Sequence, residues 1–168
     1  MSSNEKLDDF TKFMQGTNQP RTDLTIPDDM FEPYYGLMVD AMSLIQERFT
    51  PKEIEFLRIA ERVRKDEIAP AELQDWRDRV TQYRSAEYGI ESYDEPISEH
   101  DAITWLFYCL FWGRKMTTFR TKANAIMALE NFIQPYTEFF GHADLLIELY
   151  YFHLRSNKND GQPNPITL

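Results

Sequence analysis

A single cysteine, Cys109, serves the whole chain. That excludes an internal disulfide and any multi-cysteine zinc site. Its place in an apolar run predicts a buried, inert thiol. Glycine is scarce, six in 168 residues, so a phosphate-cradling loop has little material. Neither a Walker loop nor a dinucleotide fingerprint occurs, and there is no His-Glu-x-x-His or Gly-x-Ser-x-Gly motif. Long apolar runs are missing too. The longest, residues 103–113 with only Thr104 interrupting, is about half the ~20 residues a membrane span needs. The start, "MSSNEKLDDFTKFMQG", lacks the basic and apolar parts of a secretory leader. A cytoplasmic protein is the expectation.

Excess positive charge is also lacking, because the formal net charge is −10. Nucleic-acid phosphate requires clustered Lys and Arg, so no nucleic-acid partner is expected. An anionic membrane surface is equally ill matched. The charge favours a basic protein partner or simple solubility. Its distribution is uneven. Residues 1–51 carry nine acids and four bases, and residues 52–86 carry eight of each. Residues 87–101, "EYGIESYDEPISEHD", carry six acids and no base, while residues 102–168 carry five acids and six bases. Over half the excess therefore sits in one short connection, which a general solubility surplus does not explain.

The chain is 42% hydrophobic, which is enough for a core and not a disordered composition. The apolar spacing is helical throughout, with no internal repeat and no strand pattern. A short helix fits "LDDFTKFM", followed by a polar linker. A second helix is predicted from near Asp28 or Pro33 to about Arg48, with Leu37, Met38, Ala41, Leu44 and Ile45 spaced three and four apart. "TPKE" at 50–53 combines a Thr50 cap, Pro51 at the first helical position and a Glu53 capping box. Phe56, Ile59, Ala60 and Val63 then form one face. The next helix runs from "APAELQDW" to about Tyr88, with Gly89 as its stop. Ser98 caps a central apolar helix over about 99–115, with Ile103, Leu106, Phe107 and Leu110 on one stripe and Trp105, Cys109 and Trp112 on another. A further helix ends or kinks at Pro135. Gly141 then precedes a last apolar helix with a wet stripe of Asp144, Glu148 and Arg155. The fold class expected is all-α: a single-domain bundle of about five to seven helices. Residues 1–27 are the short helix and linker, 28–156 the bundle, and 157–168 a flexible tail.

Catalytic and metal chemistry find little footing. The histidines are His100, His142 and His153, and no two share a helix face at i,i+3 or i,i+4. Di-iron bundles need paired Glu-x-x-His, but Ile97, Phe139 and Tyr150 stand three residues before the histidines. His100–Asp101 is similar to the dipeptide of helical HD-type phosphohydrolases. Those need a further upstream histidine that this chain lacks, so the pair reads as the first turn of a capped helix. "DDMFE" at 28–32 resembles the magnesium-binding motif of isoprenoid-processing enzymes, with Asp75 and Asp78 of "DWRD" as a second acid pair. The resemblance implies a helical Mg²⁺-dependent enzyme if those carboxylates converge. Against it, Asp28–Asp29 sits where a helix N-terminus favours negative charge. No cofactor is expected.

The acidic segment carries the functional reading. Glu87, Glu91, Asp94, Glu95, Glu99 and Asp101 flank Tyr88 and Tyr93. Clustered carboxylates steer basic partners, and tyrosines supply contact area at low entropic cost. "PDDMFEPYYG" repeats the mixture with Asp28, Asp29, Glu32, Tyr34 and Tyr35, and folding that joins the two makes one acidic-aromatic face. The leading expectation is a non-enzymatic protein that occludes a basic partner, in its most concrete form a bacterial immunity or antitoxin protein. The alternatives are a nucleic-acid-mimicking inhibitor and the Mg²⁺-dependent enzyme. A homo-oligomer remains open. The plain structural alternative is that Glu99 and Asp101 serve only the helix start, with the rest solvated or neutralised by bases within 58–84.

Overall fold

The fold is described from a computed structural model, which covers residues 3–14, 31–91, 96, 98–112, 122–141 and 143–154. Among these are seven α-helices and no strand. They are α1 (Ser3–Met14), α2 (Phe31–Leu44), α3 (Pro51–Arg64), α4 (Pro70–Tyr88), α5 (Glu99–Leu110), α6 (Lys122–Phe140) and α7 (Ala143–Leu154), with a 3₁₀ turn at Gln46–Arg48 after α2. The expected tail at 157–168 and the linker before α2 lie outside the described residues. Among the described residues, no helix is long and apolar enough to cross a membrane.

Local chemistry sets the boundaries. Thr50 accepts from the Glu53 backbone N–H while Glu53 reaches back to the Thr50 N–H, completing the capping box of α3. Phe56, Ile59, Ala60 and Val63 are all buried, as their spacing requires. At the end of α4, Gly89 adopts φ +65° and its N–H returns to the Ser85 carbonyl. Ser98 caps α5 by accepting from the Asp101 N–H.

Two helices share the centre. α5 packs on α2, α3, α4 and α6, and α2 packs on α3, α5, α6 and α7. The core joins Tyr34, Tyr35, Leu37 and Met42 of α2 to Phe56 of α3, Leu106, Phe107 and Leu110 of α5, and Tyr136 of α6. α5 is not apolar-buried on all sides, however: Trp105, Tyr108 and Cys109 are half-buried and Trp112 is exposed. Burial pushes the Cys109 thiol up to about 12, so it stays protonated at neutral pH.

Pro135 does not break α6, which continues to Phe140. Proline removes one backbone hydrogen bond there. Phe132, Ile133, Tyr136 and Phe140 on both sides of it are buried, and the Tyr136 hydroxyl donates to the Ala41 carbonyl, so packing offsets the missing bond. Gly141 then takes φ +72° and allows the turn into α7. The N-terminal helix is docked on the bundle: Phe10 meets Tyr150 edge-on, and Lys6 reaches Glu148 at 3.3 Å.

A polar clamp ties α2, α3 and α7. Asp40 receives Arg64 Nη1 at 3.0 Å on one oxygen and His153 Nε2 at 2.8 Å on the other. The Arg64 guanidinium lies against Gly36, where a Cβ would come within 2.9 Å of it. That explains a glycine inside α2. Burial opposes the Asp40 charge, but the His153 hydrogen bond and the Arg64 charge outweigh it and hold the carboxyl below its ordinary range.

A depressed folded-state value adds stability that is present above the ordinary aspartate range and lost as pH falls through the depressed one. Asp40→Asn is therefore expected to lose about 1.5–3 kcal/mol at pH 7, the worth of hydrogen bonds to a charged group. The gap to wild type should narrow toward zero as urea titrations move from pH 5 to pH 2. A gap independent of pH would contradict the clamp.

Candidate functional site

The ends of the acidic segment rest on a buried polar seam where the start of α3, the end of α4 and the start of α5 meet. Glu53 is fully buried. A buried carboxylate is tolerated only when its lone pairs are filled. Here the Thr50 N–H donates to Oε1 at 3.1 Å, and the hydroxyls of Tyr83 and Tyr88 donate to Oε2 at 3.1 and 3.0 Å. The donors form a directed loop. The Glu53 N–H donates to Thr50 Oγ1, the Thr50 hydroxyl donates to the Tyr83 hydroxyl at 2.8 Å, and Tyr83 donates back to the Glu53 side chain. Each link polarises the next.

Burial raises both tyrosines above their ordinary range. For Tyr88 the Glu53 charge adds to it, so its hydroxyl remains a donor. The Tyr88 ring stacks on His100, with centroids 5.3 Å apart and planes within 13°. His100 Nδ1 is shielded from solvent, lies 3.7 Å from Glu53 Oε1 and makes no hydrogen bond.

One turn deeper, Arg84 of α4 meets Asp101 of α5. Nε donates to Oδ1 at 2.8 Å and Nη2 donates to the same oxygen. Both side chains are at most 2% exposed, which makes this an interior ion pair. Two turns earlier on α4, Arg77 donates to the Phe111 carbonyl at 2.7 Å and covers the Trp112 ring at 4.2 Å. Arg84 and Arg77 thus hold opposite ends of α5 antiparallel to α4.

The sequence-predicted residues separate into distinct roles. Asp101 is consumed by Arg84. Glu99 reaches Arg48 at 3.2 Å, with both side chains about 40% exposed, a pair of little energetic weight. Tyr88 is half-buried and turns its hydroxyl inward. Glu87 and Glu91 are exposed, and neither joins an ion pair among the described residues. Tyr93, Asp94 and Glu95 lie outside the described residues, as do Asp28, Asp29 and the side chain of Glu32.

Tyr34 and Tyr35 correct the sequence reading. Both are 0% exposed, and the Tyr35 hydroxyl donates to the Leu110 carbonyl at 2.9 Å. They offer no surface for a partner because α2 is walled by α3, α5, α6 and α7. The expected acidic-aromatic face has no contribution from these two rings. Asp75 and Asp78 are exposed on α4. Among the described residues, no three His, Cys, Asp or Glu side chains are grouped to hold a metal ion.

Glu53, Tyr83, Arg84 and His100 were not singled out by sequence as site residues. A signal for Arg84 existed: Leu73, Arg77, Val80 and Arg84 recur at four, three and four residues and are all buried. No protein-family model matches the chain, and neither a curated protein nor a solved structure shows significant similarity to it.

Removing one partner of the seam leaves the other buried and uncompensated. Asp101→Asn is expected to cost about 3–5 kcal/mol in urea unfolding, and Arg84→Met with Asp101→Leu to recover much of that loss. Tyr88→Phe removes one donor to the Glu53 carboxylate and should cost about 1.5–3 kcal/mol. An Asp101→Asn protein within about 1 kcal/mol of wild type would contradict an interior pair.

Proposed function

We propose that the chain is a non-enzymatic binding protein whose acidic segment occludes a basic protein partner. Its most concrete form is a cytoplasmic immunity or antitoxin protein that neutralises a toxin domain. One observation carries this reading. The connection from α4 to α5 is anchored at both ends by Tyr88 and Asp101, while Glu87 and Glu91 stand exposed without a cation from the described residues. Anchoring lowers the ordering cost of binding, and unneutralised carboxylates accelerate encounter with a basic surface. Of the six acids between 87 and 101, the fold uses Asp101 internally and Glu99 in a surface pair. Glu87 and Glu91, with Asp94 and Glu95 next in sequence, supply the charge that the partner meets.

The test is capture from the native host, identification of the captured protein, and binding kinetics with the purified partner. A basic partner is expected. Reversing Glu87, Glu91, Asp94 and Glu95 to Lys should lower the association rate at least tenfold at low salt, with unfolding stability retained. An acidic partner, or an association rate untouched by charge reversal, would refute the proposal.

A further inference from the structure

We infer that a proton-operated latch closes the neck of the acidic segment: His100, on taking up a proton, donates from Nδ1 to Glu53 Oε1. The inference rests on the binding reading above and names the regulation of that surface. Two unfilled positions face each other here. A carboxylate offers about four acceptor positions. Glu53 fills three of them, with the Thr50 N–H on Oε1 and the hydroxyls of Tyr83 and Tyr88 on Oε2. The open position is on Oε1, and that oxygen lies 3.7 Å from His100 Nδ1. Nδ1 is itself shielded from solvent and has no hydrogen-bond partner. A buried polar atom without a partner is uncommon in native folds and calls for a reason. A closure of about 1 Å and one proton bring the pair to hydrogen-bond distance. The His100 side chain is otherwise 44% exposed, so the proton enters from solvent.

The surrounding charges favour the proton. Glu53 is fully buried, and His100 is the one basic side chain within ion-pair reach of it among the described residues. From α4 the ring meets Tyr88 and, behind it, Tyr83, and both hydroxyls stay protonated at neutral pH. On α5 itself, Glu99 is drawn to Arg48 of the 3₁₀ turn and Asp101 to Arg84 of α4, so neither leaves a net charge beside the ring. The positive end of the α5 dipole opposes a cation at position 100, but it amounts to about half a charge spread over several amides. Glu53 presents a full charge at short range in a poorly screened interior, and its attraction prevails. The latch spans the neck of the segment. His100 stands at the far end, its ring stacks on Tyr88 at the near end, and Glu53 is bonded to Tyr88 between them. A cation against an aromatic face is held more tightly than a neutral ring. Protonation therefore draws Tyr88 and His100 together, and the segment between them is displayed from a firmer base.

Histidine is the side chain whose charge ordinarily changes between about pH 5 and 8. A proton bound more tightly by the folded than by the unfolded chain stabilises the fold below that range, and the contribution is lost as pH rises through it. His100→Phe keeps a ring against Tyr88 and removes the proton. In urea titrations of the full chain, the folding constant of the wild type relative to His100→Phe should rise at least about fivefold from about pH 8 to about pH 5.5. His142 and His153 are present in both proteins and cancel. In the ¹³C-labelled wild-type chain, the Glu53 carboxyl carbon and the His100 ring should shift with one midpoint. A constant ratio across that range, or a Glu53 carboxyl that ignores the His100 titration, would overturn the latch. With the partner captured as above, the wild type should release it several-fold more slowly, relative to His100→Phe, at about pH 6 than at about pH 8. A relative release rate indifferent to pH would remove the regulation. The free-chain measurements need no partner, so their failure leaves the charge-reversal test of the binding reading standing.

Discussion

The pairing of Arg84 with Asp101 is the constraint on which the rest of this end of the molecule depends. Two charges withdrawn from water are costly, and only tight geometry with filled hydrogen-bond positions offsets the loss. The pair therefore leaves α4 and α5 little freedom. α4 must present its 73–77–80–84 face to α5, and α5 must begin where Asp101 reaches Arg84. Glu53 repeats the demand from α3, since its carboxylate needs Tyr83 and Tyr88 of α4 in place. Three helices are thereby fixed at one corner of the bundle by groups that tolerate no slippage. The apolar core, by contrast, admits small shifts at modest cost.

That corner shapes the electrostatics outside it. Arg84 and Asp101 neutralise one another in the interior, so Arg84 contributes no free cation to the surface above it. Arg77 is likewise drawn onto the Phe111 carbonyl and the Trp112 ring, while Arg79 lies over Trp76 and stays exposed. Glu87 and Glu91, at the end of α4 and on the following turn, have no ion-pair partner among the described residues. The negative surface is thus partly a consequence of where the arginines are required, as well as of how many acids the segment holds.

Much of the fold was legible in the sequence because its signals are local. The Thr50 cap, the Gly89 stop, the Ser98 cap and the face of Phe56, Ile59, Ala60 and Val63 each depend on residues a few positions apart. What stayed hidden depends on distant partners. Glu53 completes the same capping box whether solvated or buried, so nothing local marks it as an interior carboxylate. Arg84 sits in apolar register, but its type reads as surface until Asp101, 17 residues away, is placed against it. Tyr34 and Tyr35 misled for the opposite reason. Acidic neighbours in sequence suggested a wet surface, while packing of α2 against four helices withdrew both rings. Pro135 was read from its missing N–H alone, and the buried rings around it carry α6 onward.

The central claim is that the seam pins the start of α5, and with it one end of the acidic segment, to the body of the bundle. Native-state hydrogen exchange at Ala102 tests this most directly, because that amide closes the first turn of α5 on the Ser98 carbonyl at 2.9 Å. Helix starts ordinarily fray at low free energy, whereas a turn locked by an interior ion pair should open only with global unfolding. An opening free energy for Ala102 equal to that of the core amides of α5, falling to a local value in Asp101→Asn, is the expected result. An Ala102 amide that exchanges by local fraying in the wild-type protein would contradict it.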